Sequence, residues 1–88
     1  MKNIYRFDVP IEDRFCLHLP VDAQVLSVSE RGGTAHMWIL LSPEKKIEER
    51  HFRVIGTGRP IPDAANLRFV GTVLLSAGRL VWHVFEVE

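Results

Sequence analysis

Apolar residues return at close to every second position along almost the whole chain. That is the spacing of strands with one buried face, so the sequence commits to β-structure nearly from end to end. In residues 2–9, Ile4, Arg6 and Asp8 alternate with Tyr5, Phe7 and Val9, and Pro10 ends the run. Phe15, Leu17 and Leu19 share one face of the next strand, leaving Cys16 and His18 on the other. Pro20 and Asp22 turn the chain into residues 23–29, where Val25 and Leu26 begin a third strand. Glu30-Arg31-Gly32-Gly33 reads as a hairpin turn, since tight hairpins need positive φ and glycine supplies it cheaply. Residues 34–41 are nearly all apolar through Met37-Trp38-Ile39-Leu40-Leu41, as expected of a central strand covered on both faces.

Residues 42–50 are polar and charged. Pro43-Glu44-Lys45-Lys46 has room for one helical turn but no apolar face to hold a helix. Residues 51–55 form the fifth strand with Phe52 and Val54 inward, residues 67–75 the sixth, and residues 80–87 the seventh after a turn at Ser76-Ala77-Gly78-Arg79. Gly71 interrupts the sixth and marks a bulge or a close backbone approach. One phrase occurs twice, as Arg53-Val54-Ile55-Gly56-Thr57 and as Arg68-Phe69-Val70-Gly71-Thr72. It predicts two paired strands that bend or end alike, and is too local for a repeat architecture. Between the copies, residues 59–66 form an ordered loop with a short turn at Asp63-Ala64-Ala65. Seven short strands at intervals of roughly ten residues predict one all-β domain over residues 1–88, a small antiparallel sandwich or partly open barrel.

Charge and cysteine usage narrow the function classes. Eleven basic and eleven acidic side chains cancel, whereas a binder of nucleic-acid backbone carries a basic excess. General nucleic-acid binding is therefore disfavoured. Cys16 is the single cysteine, which rules out an intramolecular disulfide and suits a reducing compartment. The first six residues lack the apolar core of a signal peptide, and no run approaches the roughly 18–20 apolar residues of a membrane span. A cytoplasmic protein without a membrane partner is expected.

Few residues announce chemistry. His18, His36, His51 and His83 are scattered one per strand, with no His-x-His and no Cys-x-x-Cys, so a metal site has little support and no cofactor motif is present. The serines lack a nucleophile-elbow context, and no catalytic residue is assigned. The strongest candidate is Gly56-Thr57-Gly58-Arg59, whose glycines let successive N–H groups converge on an anion while Arg59 adds a guanidinium fork. If the strands carrying Arg53 and Arg68 are neighbours, alternation puts both arginines on an outward patch beside Arg59. Trp82 and Phe85 fall on opposite strand faces, so one enters the core and the other is left outward as an interface marker. Trp82 with Val84 is taken as the interface pair, and homodimers or higher homo-oligomers are expected, a terminal strand being a pairing edge.

The opening Ile4-Tyr5-Arg6-Phe7, the loop Ile55-Gly56-Thr57-Gly58-Arg59-Pro60-Ile61-Pro62-Asp63, the Phe69-Val70-Gly71-Thr72 phrase and the closing Val81-Trp82-His83-Val84-Phe85-Glu86 together resemble a family of small proteins found widely in tailed bacteriophages and prophages. That family is a domain of unknown function, often with histidine where this chain has Arg59. The resemblance spans nearly the full chain and implies a phage or prophage setting, with no catalytic residues to carry over. The resulting expectation is a non-enzymatic accessory binding protein, a counter-defence factor that inhibits a host defence protein or sequesters its nucleotide signal. The alternative is a self-associating structural or housekeeping module with no inhibitory role.

Overall fold

Strands form at β1 (Asn3–Val9), β2 (Arg14–Pro20), β3 (Gln24–Arg31), β4 (Thr34–Leu41), β5 (Ile47–Gly56), β6 (Leu67–Leu75) and β7 (Leu80–Val87) in a computed structural model that describes residues 1–88. All pairings are antiparallel. They build a three-stranded sheet of order β1-β4-β3 and a four-stranded sheet of order β2-β5-β7-β6. The all-β expectation holds, and the two sheets form an open sandwich that does not close into a barrel. β4 is central in its sheet, as its unbroken apolar run requires. β5 starts four residues earlier than the pattern suggests, because pairing with β2 from Pro20 opposite Ile47 supplies the ladder that the charged residues 48–50 do not advertise. The segment after Ser42 is a turn closed by the Lys45 amide on the Ser42 carbonyl at 3.1 Å, and the only helical turn is the 3-10 segment Ala64–Asn66.

The duplicated phrase does not mark paired strands. β7 lies between β5 and β6, and the glycines do different work. Gly56 ends β5 beneath the Trp82 ring, whose Cζ3 lies 3.2 Å from where a Cβ would stand. Gly71 follows a bulge in β6, and a Cβ there would lie 2.7 Å from Val28 Cγ1 on β3. β3 carries its own bulge between Val25 and Ser27. Bulges add twist, and these two fall on the strands that bring the sheets together, β3 running against β6.

Register then decides what is inside. Phe15, Leu17 and Leu19 of β2, Phe52 and Val54 of β5, Val84 of β7 and Val73 and Leu75 of β6 meet Val9 of β1, Ala35, Met37, Ile39 and Leu41 of β4, and Val25 and Val28 of β3. Leu19, Met37, Ile39, Phe52 and Val84 are fully buried, each burial contributing roughly 1.5–3 kcal/mol. Phe15 stacks on its cross-strand partner Phe52 with centroids 5.1 Å apart. Glu86 is in phase with Trp82 and Val84 and points inward as well, where Arg50 hydrogen-bonds both its oxygens and Arg68 approaches one at 2.6 Å. Arg50 also donates to the Ala23 carbonyl at 3.0 Å, at the start of β3, so the same guanidinium ties the two sheets. The hydrogen bond to Glu86 raises the Arg50 pKa further above its ordinary value.

Gly71→Val is expected to overpack the β3–β6 contact and lower the unfolding free energy by about 1–3 kcal/mol. Val28→Ala in the same chain should return part of that loss, because it removes the clashing methyl group. Urea denaturation of the two single variants and the double variant measures the coupling, and additive losses would show that the close approach is not what selects glycine.

Candidate functional site

A cleft of about 270 Å³ opens where β5 ends, between the β1–β2 loop and the start of the β5–β6 loop. Ile11, Glu12 and Asp13 form one wall, Arg59 and Pro60 the other, and residues 53–56 with Trp82 the floor. Both walls hang on Arg53. Its Nε donates to the Asp13 carbonyl at 3.2 Å, beside the Val54 amide, which donates to the same oxygen at 3.2 Å. Its Nη1 lies 2.7 Å from each oxygen of Asp63, which folds the β5–β6 loop back onto β5. The Arg53 side chain is only 12% exposed as a result. The hydrogen bond from Arg53 lowers the Asp63 pKa, and the charge of Arg14, 3.8 Å away, adds to it.

This geometry corrects two expectations about anion binding. The amides of the glycine loop are not aimed outward at one point: Thr57 N–H donates to the Val81 carbonyl at 3.3 Å and Arg59 N–H to the Gly56 carbonyl at 3.1 Å. The segment is a tight turn, and Gly58 serves its positive φ of 89°. The Thr57 hydroxyl is engaged with His83 Nε2 at 2.8 Å, and His83 Nδ1 meets Thr72 at 2.9 Å. Nor do Arg53 and Arg68 share a patch. Their strands are not neighbours, and register puts Arg53 opposite Phe85 but Arg68 opposite Glu86, so the two arginines lie on opposite sheet faces. Arg53 and Arg59 both line the cleft, and of the three arginines Arg59 alone takes part in no ion pair.

The aromatic assignment on β7 is reversed. Val84 is fully buried and Trp82 is half-buried against the core, so this pair faces inward. Phe85 points out, packed edge to face on Phe69 with centroids 5.5 Å apart, and Phe69 is 58% exposed. The pattern Trp82, Val84, Glu86 hid this, because a glutamate in phase with the core reads as the solvent side. Ile11, Glu12 and Asp13 gave no sequence signal, and Asp63 read only as part of a turn; loops carry no periodicity, and only the fold brings these residues to Arg53.

A hydroxyl, an imidazole and a carboxylate also fall in line on the outer face of the three-stranded sheet. Thr34 Oγ1 lies 2.9 Å from His36 Nε2, and His36 Nδ1 lies 3.1 Å from Asp8. The order is that of a general-base relay, but the Thr34 hydroxyl also donates to the Arg31 carbonyl at 3.2 Å. Neither this cleft nor the smaller cavity near Phe15 and Val87 adjoins it.

Asp63 gives the cleft a pH signature. A carboxylate whose folded pKa lies below the ordinary 3.8 contributes stability that is complete at neutral pH. That contribution fades as pH falls below 3.8 toward the lowered folded value. The protection factors of residues 57–66, taken against the intrinsic exchange rate at each pH, should therefore fall in acid in the wild type. Asp63→Asn should exchange faster at neutral pH and lose that acid dependence; an unchanged profile would remove Asp63 as the clasp.

The family model described as a domain of unknown function, DUF7352, matches residues 1–88, and the chain belongs to that family. No curated protein and no solved structure matches it. No helix is long and apolar enough to cross a membrane.

Proposed function

We propose that this protein is a non-enzymatic accessory binding protein of a phage or prophage, working in the bacterial cytoplasm as a counter-defence factor that seats a segment of a host defence protein in the Arg53-braced cleft. The phage setting rests on the sequence resemblance. The cleft carries the choice of partner. Its walls are held in place before any ligand arrives, which lowers the ordering cost of binding. Its lining mixes the apolar Ile11, Pro60 and Trp82 with the cation Arg59 and the carboxylates of Glu12 and Asp13. A peptide segment offers both charge signs and apolar side chains to such a surface. A nucleotide offers phosphates, which would meet one unengaged guanidinium next to two carboxylates, with the Thr57 and Arg59 amides already bonded. The observation that supports the peptide over the nucleotide is the Arg53–Asp63 pair, which leaves Arg53 engaged within the fold.

A second reading, self-association without inhibition, is favoured by a separate observation. Phe69, Phe85 and Leu74 share the outer face of the β6–β7 hairpin, with Phe69 and Leu74 more than half exposed. Exposed aromatics of this kind mark contact surfaces.

Plaque counts on hosts carrying different defence systems test the first reading. The wild-type protein should restore infection against at least one system, and Arg59→Glu, which breaks no side-chain hydrogen bond or ion pair of the fold, should lose about tenfold or more of that rescue. Rescue undiminished by Arg59→Glu would discard the cleft, and absence of rescue throughout would discard counter-defence. Native mass spectrometry separates the remaining forms. A bound small mass would reinstate nucleotide sequestration, and a ligand-free oligomer without rescue would favour self-association.

A further inference from the structure

The alternation that sends Phe15, Leu17 and Leu19 inward on β2 leaves Cys16 and His18 on the outer face, and the same logic on β5 leaves Glu49 and His51 there. The two strands are hydrogen-bonded neighbours, and register makes Cys16 the direct partner of His51 and His18 the direct partner of Glu49. Four metal-type donors thus occupy the corners of one small rectangle. Donor atoms of Cys16, Glu49 and His51 all lie within 4.8 Å of one another. The Glu49 carboxylate sits between two imidazoles, 3.1 Å from His51 Nε2 and 3.5 Å from His18 Nε2. No signature such as Cys-x-x-Cys is needed, because a strand pair assembles ligands from alternate positions on two segments.

From this arrangement we propose a zinc site formed by Cys16, Glu49 and His51, with His18 as the fourth ligand. The donor set selects the metal. One thiolate and two imidazoles suit a borderline-soft ion of the zinc class, whereas calcium and magnesium demand oxygen. Tetrahedral zinc with bonds of about 2.0–2.3 Å holds its ligand atoms about 3.3–3.8 Å apart. The carboxylate and the imidazoles already stand near that spacing. His18, Glu49 and His51 side chains are each more than half exposed, and Cys16 is exposed too, so small rotamer changes complete the set without disturbing the core. The metal displaces protons from the thiol and any protonated imidazole, and it takes over the carboxylate that now pairs with the two rings. The site shares no residue with the cleft.

Cobalt titration of the reduced, full-length protein tests this. The wild type should bind a single equivalent, developing a thiolate-to-cobalt charge-transfer band and the intense visible absorption of a tetrahedral ion, and zinc should bleach both. Cys16→Ser should lose the charge-transfer band, and His51→Ala should weaken zinc binding by about tenfold or more. His83→Ala, on the same sheet but outside the rectangle, should behave as wild type. A thermal melt gives the second readout: zinc should raise the midpoint of the wild type and of His83→Ala, and not of Cys16→Ser or His51→Ala. The proposal is overturned if cobalt in excess gives no charge-transfer band, if the band survives Cys16→Ser, or if His51→Ala binds zinc as tightly as the wild type.

Discussion

A buried ion pair, Arg50 with Glu86, is the constraint around which this sandwich is organised. Their side chains are 15% and 5% exposed, inside the sheet whose neighbouring inward positions are Phe52 and Val84. In free-energy terms such a pair roughly breaks even, because taking both ions out of water cancels most of their attraction. Its consequence lies in what it forbids. Sliding β7 by one residue against β5 would turn Glu86 to solvent, bring Phe85 and His83 inward, and leave Arg50 buried without a counter-ion, a cost of about 3–5 kcal/mol. The same guanidinium holds the Ala23 carbonyl, so the register of one sheet and its attachment to the other are set together. In a domain with few buried residues to spare, that coupling is worth more than the pair's net energy.

Three residues further along the strand, Arg53 faces the opposite way and organises the surface as Arg50 organises the interior. It holds the Asp13 carbonyl on one side and the Asp63 carboxylate on the other, so two loops distant in sequence become the walls of one cleft. Both arginines are consumed by structure. A cleft braced this way recognises its ligand by shape and by the residues around the brace, which moves the weight of recognition to Ile11, Trp82, Arg59 and the wall carboxylates.

The strands were legible because one face of each is buried and the side-chain period is two; Phe15-x-Leu17-x-Leu19 and the unbroken run in β4 announce themselves. Gly71 was legible as an irregularity for the same reason. Neighbourhood was not. A tight turn at Ser76–Arg79 makes β6 and β7 a hairpin, and β5 then pairs with β7, so Arg53 and Arg68 end up on opposite faces despite their matching phrases. The role of Glu86 was hidden because a lone carboxylate in phase with Trp82 and Val84 makes sense only once Arg50, on another strand, is known to meet it. Partners distant along the chain carry no spacing in the sequence, and the polar contacts that organise this molecule, Arg50 with Glu86 and Arg53 with Asp13 and Asp63, are of that kind.

The proposed zinc ligands follow the same rule, and they link the surface back to the cleft. β2 is an edge strand whose ladder bonds all go to β5, and its loop to β1 supplies the Ile11–Asp13 wall. Edge strands are where local opening begins, since one side of the ladder is unpaired. A metal held by Cys16 and His18 on β2 and by Glu49 and His51 on β5 crosses that ladder with side-chain bonds on its outer face, adding to the backbone ladder and the Phe15–Phe52 stack inside. Fixing the edge fixes the start of β2, and with it the Asp13 carbonyl that Arg53 and the Val54 amide hold. The cleft wall therefore leads directly into the strand that carries Cys16 and His18, and a metal that steadies that strand steadies the wall.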